Sequence, residues 1–311
     1  MKTKTALIIL VVAVAALVVY VFGSVEYISL GDFRRALAGI FFADSITEAQ
    51  LHEAYAKALR GEGKVKVLIV PGHDDESWGT EYNGVREVTL TTAVGEALAA
   101  EFAKNKEYEV TLLRSQEGYL PAFDAYFQKN KDTVRAAVTA KKKVMADLLK
   151  VGAVNRADGV PHNKAALPVA LRLYAVNQWA NEQGFNLVMH LHFNDYGGRK
   201  TGVVGKYSGF TLYFPDAQYS NAKASRAVVD ALFAQFSTKY TPSNLPKENG
   251  GLASDQSLIA VGAYNTLDPA AVLIEYAYIY ESAIRNASTR AEALLGYAAE
   301  TYSGIERFFG K

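Results

Sequence analysis

From Val65 onward the chain repeats one pattern: a short apolar run rich in β-branched residues, then a longer stretch whose apolar residues recur at helical spacing. That alternation dictates an α/β domain with a mostly parallel sheet. Strands buried on both faces read as continuous apolar runs, and each parallel connection needs a crossover long enough to hold a helix. The runs predict strands at Val65–Val70, Glu109–Leu113, Asn186–Phe193, Gly209–Phe214 and Ala271–Glu275. Helices are predicted at roughly Glu87–Lys104, Thr133–Leu149, Pro168–Gln183, Ser220–Phe236 and Thr289–Phe309. Such a sheet gathers ligands beyond the carboxyl ends of its strands, so polar residues at those ends are the candidates for chemistry.

Two segments precede this domain. Lys2 and Lys4 lead into an apolar run from Ala6 to Phe22 that contains no charge and no proline. The run is near the short end of what spans a ~30 Å hydrocarbon core, and longer than most signal-peptide cores. Residues 1–25 are therefore expected to be a cytoplasmic tip and transmembrane helix, with a cleaved signal peptide as the alternative. Gly23-Ser24-Val25-Glu26 is a weak cleavage site. Lysines ahead of the span favour a single-pass membrane protein whose body is extracytoplasmic. Residues 26–63 read as a juxtamembrane connector, with a helix opening at the capping box Ser45-Ile46-Thr47-Glu48 and running to Arg60. His52 on this helix reads as part of a solvated face. Residues 64–311 form the main domain.

A formal net charge of +1 gives no reason to expect a nucleic-acid partner. With no cysteine, thiolate catalysis, disulfides and Cys-ligated metals are excluded, so a metal would have to be held by His, Asp and Glu. Only five histidines exist. One, His73, ends the run Val67-Leu68-Ile69-Val70-Pro71-Gly72 at the carboxyl end of a predicted strand. Fourteen residues on, Glu87 opens a predicted helix, where its carboxylate can turn back toward His73. Alternation along Leu187-Val188-Met189-His190-Leu191-His192-Phe193-Asn194 sends both histidines and Asn194 to one face. His192, nearer the strand end, is the better placed ligand; His190 reads as a packed or supporting residue. The run Pro269 to Ile274 ends in Glu275, a charge that is costly at the end of a buried strand unless it is paired or does chemistry. The lysine-rich stretch Gln128 to Lys150 reads as an amphipathic surface helix. The loop Val151 to Lys164, with His162, could rim a cleft.

Taken in order, these segments resemble the zinc N-acetylmuramoyl-L-alanine amidases. Pro71-Gly72-His73 and Glu87 resemble that family's strand-Pro-Gly-His start and its glutamate at the same spacing. Gly79 and Asn83-Gly84 fall where its intervening loop has glycines, and Leu113-Arg114 resembles its Thr-Arg. Arg172 and Asn177 resemble the Arg and Asn of its next helix. His190 to Asn194 resembles its Ser-Ile-His-x-Asn strand, and Pro269 to Glu275 its Pro-Ala-Val-Leu-Val-Glu. The resemblance runs from Val65 to the C-terminus. It implies a single three-layer, phosphorylase/hydrolase-like α/β domain, with His73, Glu87 and His192 as zinc ligands and Glu275 as the catalytic glutamate. The implied substrate is peptidoglycan, cut at the amide between N-acetylmuramic acid and L-alanine. Arg114, Arg172, His190, Asn194 and Glu76 are candidates for substrate contact or support of the ligands.

The sequence departs from the family in two places. Asp74-Asp75-Glu76 stands where Gly-Gly is usual and is expected to add negative charge beside the metal, and Tyr276 to Glu281 replaces Gly-Phe-x-Ser-Asn. His73-Asp74-Asp75-Glu76 also fits the His-x-x-Glu of zinc carboxypeptidases, with Glu76 as ligand and Arg114 or Arg172 as carboxylate anchor. A membrane-tethered wall-binding protein without catalysis is a further alternative.

Overall fold

A computed structural model describes residues 36, 38–160, 162 and 165–311. The predicted membrane span lies outside them; among the described residues no helix is long and apolar enough to cross a membrane. Six strands form one sheet: β1 Val65–Pro71, β2 Tyr108–Leu112, β3 Leu187–Asn194, β4 Thr211–Pro215, β5 Leu252–Asp255 and β6 Ala270–Tyr278, in the order β2-β1-β3-β6-β4-β5. The first four strands of that order are mutually parallel, β4 runs antiparallel to β6, and β5 is parallel to β4. The register sets Glu275 of β6 beside His192 of β3 on one side and Thr211 of β4 on the other.

The period-two alternation predicted for β3 is what divides the core. Leu187, Met189, Leu191 and Phe193, with Val67, Ile69, Val272 and Ile274, face one helical layer: α2 Glu87–Ala103, α5 Ala222–Phe236 and α6 Ala287–Phe308. Val188, with Leu68, Val70, Ala271 and Leu273, faces the other: α3 Pro121–Lys150 and α4 Leu167–Gln183. His190, His192 and Glu275 share the parity of this second face. Three layers follow, as expected.

Three local expectations need correction. The predicted helix Thr133–Leu149 begins at Pro121 instead, because proline presets the first-turn φ, and Phe123 and Phe127 extend its buried stripe toward the N-terminus. The four residues of β5 were not anticipated; Leu-Ala-Ser-Asp has too little β-branching to announce an edge strand. The capping box also sits two residues further on. Thr47 caps Gln50 and Gln50 returns the bond to Thr47, opening α1 at Glu48–Leu59. Ser45 bonds instead to Ser220 Oγ at 2.8 Å and the Asp268 carbonyl at 3.0 Å. Helix α1 buries Leu51, Tyr55 and Ala58, with the Tyr55 ring stacked on Phe309 at 4.2 Å, while half-exposed His52 lies on Phe308.

Candidate metal centre and catalytic glutamate

Strand β1 stops at Pro71, Gly72 donates to the Leu191 carbonyl of β3, and His73 turns through a left-handed φ of 67°. This conformation is uncommon for a residue with a Cβ and marks a local constraint. A two-strand hairpin, Glu81–Tyr82 with Val85–Arg86, then brings the chain back so that Glu87 starts α2, where the helix N-terminus favours a carboxylate.

Glu87 is the hub, only 3% exposed. Its Oε1 accepts from the Phe193 backbone N–H at 3.1 Å and lies 2.9 Å from His192 Nδ1. Its Oε2 accepts from the Thr80 N–H at 2.9 Å and lies 3.0 Å from His73 Nε2. Burial pushes this carboxyl up, but the imidazole contacts outweigh it and hold Glu87 below the ordinary carboxylate range. Burial holds His192 below its ordinary pKa, the neutral form a metal ligand requires. His73 Nδ1 sits 3.1 Å from the Ser77 carbonyl, which can only accept, so Nδ1 carries the proton and Nε2 is turned toward Glu87.

Two imidazole nitrogens and one ionised carboxylate therefore point at one spot, with ligand atoms all within 4.8 Å of one another. No other group of three such residues converges among the described residues. The donor set suits zinc: two imidazoles and one carboxylate, with a hydrogen bond to the Ser77 carbonyl fixing one tautomer.

Glycine is required around this group. A Cβ on Gly79, at φ 77°, would fall 2.6 Å from the His73 ring and closer still to Glu87 Oε2; one on Gly72 would meet the His192 ring. Gly79→Ala is accordingly expected to push two ligands apart and lower zinc affinity by about tenfold or more, the scale for disturbing the shell around a metal. Zinc retained after dialysis against a graded chelator measures it; wild-type retention would show that the loop yields without moving the ligands.

Glu275 lies beside this group. Its Oε2 is buried without a hydrogen-bond partner. Burial first, then the charges of Glu87 and Glu248, hold its carboxyl well above the usual range.

Glu248 was missed by sequence reasoning. It sits in Pro246-Lys247-Glu248-Asn249-Gly250-Gly251, a composition that reads as surface turn, yet it is 1% exposed. It accepts from Asn194 Nδ2 at 2.7 Å, Thr211 Oγ1 at 2.8 Å, Tyr213 OH at 2.7 Å and Tyr278 OH at 3.1 Å, and also from Ser243 Oγ. Five neutral donors, four of them on strands 30 or more residues away, surround this buried carboxyl group. Only their convergence reveals it; Asn194, a sequence candidate, is one of them.

The other candidates have separate roles. Arg114 is buried and reaches the Gly72 carbonyl at 3.3 Å, bracing the turn that carries His73. Arg172 is committed to Asp74 at 2.8 Å and lies over the Tyr119 and Phe127 rings. Asp74 also caps the Glu76 and Ser77 N–H groups. The expected negative charge beside the metal is thus partly cancelled: Asp74 is neutralised by Arg172, and Asp75 and Glu76 face solvent. Glu76 stands outside the converging group, so the His-x-x-Glu ligand set is not the one brought together. His190 is 1% exposed with both ring nitrogens unpartnered, and burial pushes its pKa down to about 3, so it is a neutral packed residue.

Residues 67–307 match the N-acetylmuramoyl-L-alanine amidase family. The fold is similar to that of the amidase Ami1 from Mycobacterium smegmatis, with 16% identity and a TM-score of 0.50 over 80% of this chain and 99% of that one. It is also similar to the CwlD amidase from Clostridioides difficile, solved in complex with the GerS lipoprotein, with 12% identity and a TM-score of 0.51 over 79% of this chain and 98% of that one. No curated protein matches in sequence.

Proposed function

Because the chain belongs to the N-acetylmuramoyl-L-alanine amidase family, we propose that His73, Glu87 and His192 hold a zinc ion and that Glu275 moves the proton when the bond between N-acetylmuramic acid and L-alanine is hydrolysed. The observation that carries this reading is the convergence of three ligand atoms within 4.8 Å, with an unpartnered buried carboxylate oxygen in the neighbouring strand position.

Held by His73, Glu87 and His192, zinc would supply Lewis acidity for the scissile carbonyl and would lower the pKa of the attacking water. The chain's residues do the rest. Glu87 is held in place by two backbone N–H groups, so it keeps one orientation through turnover. Glu275 accepts a proton from the attacking water as the carbon–oxygen bond forms, then returns it to the amine nitrogen as the carbon–nitrogen bond breaks. The products are a carboxylate on the lactyl group and a free amino terminus on the peptide. A carboxyl with raised proton affinity suits the second half of that task. Digestion of purified peptidoglycan, followed by mass analysis of the released fragments, tests this directly. Free peptides beginning at L-alanine are expected, and cleavage inside the peptide alone would make the enzyme a peptidase.

The uncharged apolar run Ala6 to Phe22 supports a retained anchor that holds the domain at the outer side of the membrane. The protein is expected in the membrane fraction with its first residues intact. A mature N-terminus just after Gly23 in a soluble exported fraction would show a signal peptide instead.

A further inference from the structure

The histidine on the loop between α3 and α4 has a place in the site that the reaction as described does not use. Asp255, at the end of β5, is 1% exposed. Its Oδ1 caps the following turn, accepting from the Ser257 N–H at 2.6 Å, Ser257 Oγ at 2.9 Å and the Leu258 N–H at 2.8 Å. Its Oδ2 is reserved for His162, whose Nε2 lies 3.1 Å away. Gly159 presses against the same oxygen so closely that a Cβ there would lie 2.7 Å from it. Burial raises this carboxyl, but the bonds from His162 and Ser257 more than offset that, leaving Asp255 ionised.

An ionised carboxylate can only accept, so Nε2 of His162 carries the proton, and in the neutral ring Nδ1 is left with a lone pair. The ring is directed as well. It packs edge-on against Tyr213 of β4 at 5.2 Å between centroids. Tyr213 pairs with Leu273, two residues before Glu275 and on the same sheet face, and its hydroxyl donates to Glu248. Glu248 in turn holds Asn194, two residues beyond His192. His162 thus lies on the Glu275 side of the sheet, one strand across from it. Its side chain is 27% exposed, against 0% for Asp255. A buried carboxylate that fixes one nitrogen of a partly exposed imidazole is an arrangement for presenting the other nitrogen.

We propose that His162, oriented by Asp255, is a substrate-binding residue whose Nδ1 accepts a hydrogen bond from an N–H or O–H of the muramyl-peptide next to the scissile amide. This rests on the amidase reading above. The test uses the full chain and a soluble muramyl-peptide. His162→Ala is expected to raise KM about tenfold, the loss of one well-made hydrogen bond, while kcat changes much less and zinc content stays at the wild-type value; its melting temperature should fall, because the buried Asp255 loses a partner. Asparagine and glutamine separate binding from architecture. In His162→Asn a carbonyl oxygen can stand near the place of Nδ1, so KM should recover. In His162→Gln the longer side chain can keep the Asp255 bond but offers no acceptor at that place, so KM should stay raised. The inference is overturned if His162→Ala leaves KM unchanged, if His162→Gln restores it as well as His162→Asn does, or if KM in His162→Gln rises only together with a fall in melting temperature. If wild-type protein fails to hydrolyse the muramyl-peptide, the amidase reading itself fails; wild-type turnover with an indifferent His162 defeats this inference alone.

Discussion

Glu275→Gln is expected to keep its zinc and lose turnover by about 10²-fold or more, the usual scale for general acid–base catalysis. The amide has nearly the shape of the carboxyl, so neither the β3–β6 register nor the His192 ligand beside it has reason to move. What disappears is the ability to take a proton and give it back. The wild-type carboxyl is placed for that exchange. One oxygen has no partner to compete for it, and burial followed by the charges of Glu87 and Glu248 keeps its proton affinity high. The measurement is kcat on a soluble muramyl-peptide alongside metal content. Near-wild-type turnover would mean that another group moves the proton; exposed Asp75 and Glu76 on the His73 loop would be examined next.

Glu87→Ala should have the larger effect, removing zinc and lowering activity by about 10³-fold, since a catalytic metal contributes several kcal/mol to the transition state. Glu87 bonds to both histidines, and its oxygens also satisfy the Thr80 and Phe193 N–H groups. Its loss leaves two imidazoles without a common partner and two backbone donors unpaired, so some loss of folding stability accompanies the loss of metal. Metal content after gel filtration reports the first effect and thermal unfolding the second. Glu76→Ala is the control: Glu76 is solvent-facing and outside the group, so its zinc should be unchanged. The reverse pattern would restore the carboxypeptidase-like ligand set. Acid should release zinc through His73. Burial alone would lower its pKa, but the hydrogen bond and charge of Glu87 raise it above the ordinary value. Protons therefore begin to compete with the metal at a higher pH than for an ordinary histidine of pKa about 6.5, and zinc is held above that pH and lost as pH falls through it.

How much of this could be read without coordinates depends on whether the signal is local. Alternation in Leu187 to Asn194 fixed which residues of β3 face which layer, because strand periodicity is a property of the backbone and needs no partner. His73, Glu87 and His192 were legible because each sits at an element boundary that the sequence announces: Pro71-Gly72, the start of α2, and the last turn of an apolar run. The length of α3 was not legible, because Pro121 reads as a breaker until it is known to be the first residue of a helix.

By itself, then, the sequence determined the α/β alternation and the parity of the strands, since these follow from spacing, while its resemblance to the amidases pointed to His73, Glu87 and His192 as ligands. Tertiary structure decided what those residues meet. It paired Asp74 with Arg172, so that part of the acidic run no longer charges the site. It turned Arg114 inward to brace the Gly72 carbonyl. It buried Glu248, from a segment with the composition of a surface turn, among five donors drawn from three strands and a loop. It also set Asp255 under His162, 93 residues away in sequence. The physical reason is common to all four: the field at a buried charge is set by groups brought together through long-range sheet pairing, and no local pattern in the chain encodes which distant donors will arrive.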